Sequence, residues 1–249
     1  MKSTIIIPAR LASTRFPEKA LVDIYGTSLI MRVYNQAIQV KSADNVIVAT
    51  DHPKIFKHVS DHGGNVIMTS KNHISGTDRI AEVASKIDSE IIINLQGDEP
   101  LINPLQIEAL ISLMNNEEIL IGTQCNAITN ENEIFDYNVV KVVRDIYDSV
   151  LYFSRQAIPT VRDQPFLKWA SKTTYFRHVG LYGFKRNTLL EITQLPSSNY
   201  EICESLEQLR WLESGYKIHC VEIPFSSQGV DTPEDLNKVV EVLLKENFR

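Results

Sequence analysis

The chain is poor in cysteine. Its three cysteines, Cys125, Cys203 and Cys220, stand far apart, with no CxxC pair and no Cys/His grouping, so a zinc site is not expected. An odd, sparse count fits a reducing compartment and not a disulfide framework. No apolar run is long enough to span a bilayer, and Ile5-Ile6-Ile7-Pro8 is too short for the core of a signal peptide. Lys and Arg number 25 against 31 Asp and Glu, a net charge of -6, which argues against a broad nucleic-acid-binding face. A small anionic ligand stays open, because a few local cations suffice to hold one. Neither GxxxxGK[ST] nor GxGxxG occurs, which excludes a Walker A loop and a dinucleotide fingerprint. The expectation is a cytoplasmic protein with no nucleic-acid and no membrane partner.

What is present is an ordinary globular composition, 43% apolar and 22% charged over 249 residues. Such a chain buries a core without disulfide or metal staples. In the first half, residues 4–8, 45–50, 65–69 and 90–95 are short, rich in Ile and Val and bounded by polar or Gly residues, and read as buried strands. Residues 28–39, 53–62, 78–86 and 104–114 read as helices, with Pro53 and Pro104 suited to a first turn. This alternation implies an α/β fold with a mostly parallel sheet covered by helices on both faces. Ligands bind such sheets beyond the carboxyl ends of the strands. Loops 9–19, 51–52, 70–77 and 96–100 are therefore expected to face one site.

The second half is less regular. Residues 139–143, 150–153, 175–184 and 218–223 read as strands, 201–213 and 233–246 as helices, and 162–172 as a loop. No repeat or flexible linker interrupts the chain. Residues 1–249 read as one domain, with 126–224 containing an insertion.

Five segments carry candidate chemistry. The loop after the first strand holds Arg10, Ser13, Thr14, Arg15 and Lys19, which suits a phosphate; it reads equally well as a solvated turn. Asp98 and Glu99 follow Gly97 at the end of a strand, a position from which a carboxylate can hold Mg²⁺. Capping a turn is the other reading, and is preferred for Glu99. In His73–Arg79, Ser75 or Thr77 caps the next helix, or Ser75 and Gly76 reach a nucleobase. Thr232, Pro233 and Asp235 form a helix start, which leaves Asp231 unexplained. Last come scattered polar groups, Arg155, His178, Tyr182, Glu204, Glu207 and Gln208. A helix over 201–213 would put Glu204, Glu207 and Gln208 on one face. Composition alone does not separate function from a solvated surface for these.

Taken in order, IIIPAR, STRFPEK, VIVATD, HISGTDRI, INLQGDEPLI, NVVKVV, LYFSR, FRHVGLYGF, ESLEQLRWLESGYKI and VDTPEDL span residues 5 to 236. Together they resemble the 3-deoxy-manno-octulosonate (Kdo) cytidylyltransferase family. VDTPEDL is shared with other nucleotidyltransferases, whereas YFSR, RHVGLYGF and LEQLR together are far more specific. The resemblance implies a GT-A-like (Rossmann-like) nucleotidyltransferase fold, Mg²⁺ dependence and a homodimer, with the second half serving sugar binding and dimerisation. It implies that Arg10, Ala12, Ser13, Arg15 and Lys19 bind the CTP phosphates, with Arg10, Lys19 and Asp98 catalytic. It implies Ser75 and Gly76 near cytosine, and Asp98 and Asp231 on Mg²⁺. Gln96, Arg155, His178, Tyr182, Glu207 and Gln208 would surround the acidic eight-carbon sugar.

The family's loop has Gly before the Lys and Pro after it, where this chain has Glu18 and Ala20. Glu18 adopts a positive φ only with strain, and it adds a negative charge near the phosphates. The implied reaction transfers CMP from CTP to the C2 hydroxyl of Kdo, for lipopolysaccharide synthesis. The alternatives are a cytidylyltransferase for sialic acid or for the 8-amino derivative of Kdo, or a non-catalytic nucleotide-sugar-binding module. Intact Arg10, Lys19, Asp98 and Asp231 argue against the last.

Overall fold

A computed structural model of the chain describes residues 1–12, 16–225 and 229–247. The first half runs β1 (Ser3–Ala9), β2 (Asp23–Ile24), β3 (Thr27–Ser28), α1 (Leu29–Ala37), β4 (Asn45–Thr50), α2 (Pro53–Asp61) and β5 (Val66–Met68). It continues through α3 (Gly76–Ala84), β6 (Ile91–Asn94), α4 (Pro104–Met114) and β7 (Ile121–Ala127). The second half holds β8 (Lys141–Arg144), β9 (Val150–Ser154), β10 (Phe176–Lys185) and α5 (Arg186–Ile192). After these come α6 (Asn199–Glu204), α7 (Gln208–Glu213), β11 (Ile218–Glu222) and α8 (Pro233–Asn247).

The main sheet has the order β11-β7-β10-β6-β1-β4-β5. Strand β1 pairs in parallel with β4 and β6, β4 with β5, and β11 with β7. Strand β10 is antiparallel to both β6 and β7. The sheet is thus mostly parallel, as the βα alternation predicts.

Strand β1 explains why helices cover both faces. Side chains alternate along a strand, so Ile5 and Ile7 point one way and Ile6 the other. All three are fully buried. Ile5 and Ile7 join a core with Ile30 and Val33 of α1 and Leu110 of α4, while Ile6 packs with Ile80 and Val83 of α3 and Leu189 of α5. A strand with two buried faces needs a continuous apolar run, which is what residues 5–7 supply.

Several elements differ from the sequence reading. The helix expected over 201–213 is broken: α6 stops at Glu204, Ser205 adopts a left-handed φ of 52°, and α7 begins at Gln208. Glu204, Glu207 and Gln208 therefore do not share one helix face. Strand β7 and helix α5 had no counterpart in the pattern. Within the loop at 162–172, residues Phe166–Lys168 form a single 3-10 turn.

The stretch 126–224 is woven into the fold, since β10 runs between β6 and β7 and β11 forms an edge of the main sheet. Outside the main strand order lies the β8–β9 hairpin, whose β8 pairs with the start of β10. Among the described residues, no helix is long and apolar enough to cross a membrane.

Candidate active site

A cleft of about 350 Å³ opens where β1, β6 and the start of α3 meet. That volume suits a small-molecule ligand. Its lining includes Pro8, Arg10, Lys19, His73, Ser75, Gly76, Arg79, Gln96, Gly97, Asp98 and Asp231. The cleft lies beyond the carboxyl ends of parallel strands, as expected.

Two glycines bring its walls together. A Cβ on Gly97 would lie 2.8 Å from the Pro8 carbonyl oxygen, a contact no side chain tolerates. A Cβ on Gly76 would press on Pro8 at 3.3 Å, so Gly lets the N-terminus of α3 close on the end of β1.

Lys19 begins a short 3-10 turn after Glu18, which adopts φ 54°, ψ 24°. The left-handed conformation that the family's Gly would supply is thus present, imposed on a glutamate. The Glu18 carboxylate is turned aside and pairs with Lys54 Nζ at 2.6 Å. Ala20 is buried in the core beside α1 and anchors the turn. From there Lys19 Nζ donates to Asp98 Oδ2 at 2.8 Å and to Asp231 Oδ1 at 3.1 Å.

The approach of Asp231 to Asp98 has a backbone cause. The Val230 N–H donates to the Asp98 carbonyl at 2.9 Å, which ties the two loops. The next residue, Thr232, caps α8: its Oγ1 accepts from the Asp235 N–H at 3.3 Å, and Asp235 Oδ2 accepts from the Thr232 N–H at 3.2 Å. Helix capping is thereby assigned to Thr232 and Asp235, and Asp231 is presented to the cleft. Burial pushes the Asp235 carboxyl up, but bonds from Lys238, Thr232 and the Asp231 N–H outweigh it and bring it below the ordinary value. No group of three or more His, Cys, Asp or Glu side chains suited to a metal occurs among the described residues. The two carboxylates converge on a single cationic atom, the donor set that Mg²⁺ takes when phosphate oxygens and water complete its shell.

Ser75 is both a helix cap and a cleft residue. It caps α3, its Oγ accepting from the Asp78 N–H at 3.1 Å, and it lines the cleft with Gly76. Beside it, His73 Nε2 meets Glu82 Oε2 at 2.6 Å. Burial pushes the Glu82 carboxyl up, yet hydrogen bonds from Lys86, the Ser70 N–H and His73 lower it to about 2. Arg79 is a cleft residue the sequence reading left unassigned. It is 4% exposed, its Nη2 paired with Asp51 at 2.8 Å and its Nη1 donating to Thr69 Oγ1 at 2.6 Å. It therefore braces the ends of β4 and β5 under the site. Its signal was present in HISGTDRI, but a buried Arg at the fourth position of a helix looks like any surface cation in sequence. Arg10 is exposed and makes no ion pair among the described residues, so its charge is available to a ligand.

A second group borders the cleft from the β10 side. Thr77 donates to Glu207 Oε2 at 2.6 Å, linking α3 to the start of α7. Burial raises the Glu207 carboxyl, and bonds from Thr77 and Ser75 and the charge of Arg210 offset only part of that. His178 Nε2 bonds Thr123 Oγ1 at 3.0 Å, and its ring packs on Phe153 and Tyr182. Burial holds His178 down to about 3, so it is neutral near pH 7. Burial also pushes the Tyr182 hydroxyl well above its ordinary value. Gln208 is buried, 6% exposed.

Of the sequence-derived residues, Arg10, Lys19, Ser75, Gly76, Gln96, Asp98 and Asp231 are gathered in the cleft. Ala12 is exposed and outside the lining, and Ser13 and Arg15 lie outside the described residues. His178, Tyr182, Glu207 and Gln208 belong to the adjoining group. Arg155 is tied elsewhere: Nε donates to the Glu204 carbonyl at 2.7 Å, Nη1 to that of Tyr137 at 3.0 Å and Nη2 to that of Ser205 at 3.3 Å. It clamps the break between α6 and α7.

Comparison with known proteins bears on this site. A family profile described as "Cytidylyltransferase" matches residues 4–218. The chain is 46% identical to the 3-deoxy-manno-octulosonate cytidylyltransferase of Geobacter sulfurreducens, over 98% of this chain and 100% of that protein. It is 48% identical to the protein of the same name from Syntrophotalea carbinolica, over 96% of this chain and 97% of the other. A solved structure of CMP:2-keto-3-deoxy-manno-octonic acid synthetase complexed with CTP superposes with a TM-score of 0.93. That protein is 42% identical, and the match covers 99% of this chain and 100% of the other.

Proposed function

This chain belongs to the 3-deoxy-manno-octulosonate cytidylyltransferase family, and from that premise we propose that it transfers CMP from CTP to Kdo. The observation that carries the reading is the convergence of Lys19, Asp98 and Asp231 in one cleft at the carboxyl end of the sheet.

In this reading the C2 hydroxyl oxygen of Kdo attacks the α-phosphorus of CTP. The bond from that phosphorus to the oxygen bridging to the β-phosphorus breaks, pyrophosphate departs, and the hydroxyl proton passes to water. Arg10 and Lys19 bind the phosphates and neutralise charge that grows on the leaving group. Ser75 and Gly76 border the cytosine, where a space limited by the start of α3 favours a pyrimidine over a purine. Ala12, Ser13 and Arg15 are assigned to the phosphates by family likeness. Gln96, His178, Tyr182, Glu207 and Gln208 orient the sugar. A neutral His178 and an un-ionised Tyr182 are suited to hydrogen-bonding its hydroxyl groups without adding charge. Arg155 orients the sugar indirectly, by holding the turn that presents Glu207 and Gln208. Asp98 and Asp231 would hold a Mg²⁺ ion, whose charge would help neutralise the phosphates and lower the pKa of a bound hydroxyl group. The enzyme is assigned to the cytoplasm and to lipopolysaccharide synthesis, as a homodimer that uses parts of residues 126–224.

Pyrophosphate release across a panel of CTP, ATP and GTP with Kdo, its 8-amino derivative and sialic acid tests the reading. Release with CTP and Kdo well above every other pair is expected. Comparable turnover with ATP, or a stronger response to another sugar, would overturn it.

A further inference from the structure

We infer that Lys19 is a stand-in cation, whose ammonium fills the position between Asp98 and Asp231 until nucleotide phosphates draw it away and a divalent ion takes its place. The inference rests on the assignment of those two carboxylates to the metal.

Lys19 Nζ lies 2.8 Å from Asp98 Oδ2 and 3.1 Å from Asp231 Oδ1. A Mg²⁺ ion held by the same two oxygens would compete for the space that Nζ occupies between them. Two cations cannot share it. The Lys19 side chain is 16% exposed, whereas those of Asp98 and Asp231 are 31% and 49% exposed, so the ammonium is the more enclosed partner.

Only the side chain has to move. The Lys19 backbone is fixed by its N–H on the Phe16 carbonyl at 3.3 Å, and its own carbonyl accepts from the Val22 N–H at 3.2 Å. A flexible four-carbon stem lets a compact charge swing from carboxylate to phosphate without disturbing the turn. The exchange is balanced in charge: the carboxylates lose one positive neighbour, and the phosphates gain it. The departure removes the one ammonium that bridges Asp98 and Asp231, and a divalent ion would take over that bridging role.

The consequence is coupling. The nucleotide creates the metal site, and by linkage the metal tightens the nucleotide by the same factor. The protein without nucleotide ignores Mg²⁺ and keeps its carboxylates paired.

Mn²⁺ binding read from the free-ion signal in electron paramagnetic resonance tests this without turnover. In the absence of nucleotide, Lys19→Met and Lys19→Gln should bind Mn²⁺ at least about ten-fold more tightly than the unmodified protein, which corresponds to about 1.4 kcal/mol. Lys19→Arg, which keeps the charge, should stay weak. Adding α,β-methylene-CTP should give the unmodified protein tight Mn²⁺ binding. Equal Mn²⁺ affinity of the unmodified protein and both neutral variants without nucleotide would overturn the inference. Full Mn²⁺ affinity of an Asp98→Asn protein with the analogue would instead show that the ligand assignment beneath it fails, and the inference would fall with it. Thermal melting of each variant confirms that the protein measured is folded.

Discussion

The Val230 N–H donates to the Asp98 carbonyl at 2.9 Å, and this one backbone bond joins two loops from distant parts of the chain. It seats Asp231 beside Asp98, within reach of a common cation, while Thr232 takes over the capping of α8. The placement of the acids is thus a property of the backbone, and a side-chain change at either should leave it intact.

Asp98→Asn and Asp231→Asn should each lower turnover by roughly two orders of magnitude, worth about 3 kcal/mol of barrier. Both should fold, since neither side chain lies in the core, and both should need more Mg²⁺ for half-maximal activity. Steady-state rates across a Mg²⁺ titration check this. An Asp231→Asn enzyme with normal metal dependence would leave Asp98 as the only protein ligand.

Glu18 holds a left-handed backbone at φ 54°, a conformation that favours Gly. Its ion pair with Lys54 is half-exposed on both sides, a class worth about 0–1 kcal/mol. Glu18→Ala loses the pair and keeps the strain, whereas Glu18→Gly loses the pair and relieves the strain. Urea unfolding should therefore find the Gly variant about 1 kcal/mol more stable than the Ala variant. Equal midpoints would show that the turn is unstrained.

His178 has its pKa lowered by burial to about 3. Between that value and the ordinary 6.5, the unfolded chain binds a proton that the folded protein refuses. Its contribution to stability is therefore intact above about pH 6.5 and declines as pH falls toward 3, by about 1.4 kcal/mol per pH unit. Imidazole nitrogen resonances should show a neutral ring from pH 8 down to 5. A His178 titrating near 6.5 would mean the ring is open to water.

Arg155 donates to the carbonyls of Glu204, Tyr137 and Ser205. Removing the guanidinium strips three acceptors of their partner, so Arg155→Ala should cost about 2–3 kcal/mol of stability. It should also raise the KM for sugar through the displaced Glu207 and Gln208, with CTP binding unchanged. Calorimetric melting with the two KM values separates the cases. Unchanged stability with a lost sugar response would mean that Arg155 touches the sugar directly.

How far the sequence reached can be traced residue by residue. Strand β1 and the helices at residues 53–61 and 104–114 were legible because apolar period and a first-turn Pro agree with the tertiary fold. The strand over 121–127 was not, since IGTQCNA mixes Gly, Thr and Gln, which are buried there against other parts of the sheet and α4. The break at Ser205 was equally hidden, because helical spacing continues across it while the backbone turns left-handed. Asp98, Lys19 and Asp231 were each visible as candidates. That they meet depends on the Val230–Asp98 bond and on the bare approach of Gly97 to Pro8, and neither leaves a periodic trace. The three carbonyls that occupy Arg155 are backbone groups, which no residue pattern announces.

The central claim, CMP transfer to the C2 hydroxyl of Kdo, is tested most directly by phosphorus NMR of the enzyme with CTP, Mg²⁺ and Kdo. The account predicts loss of the three CTP resonances with the growth of two products in equal amounts, pyrophosphate and one phosphodiester that carries both cytidine and the sugar. An unchanged CTP spectrum, or orthophosphate and CDP in place of pyrophosphate, would contradict it.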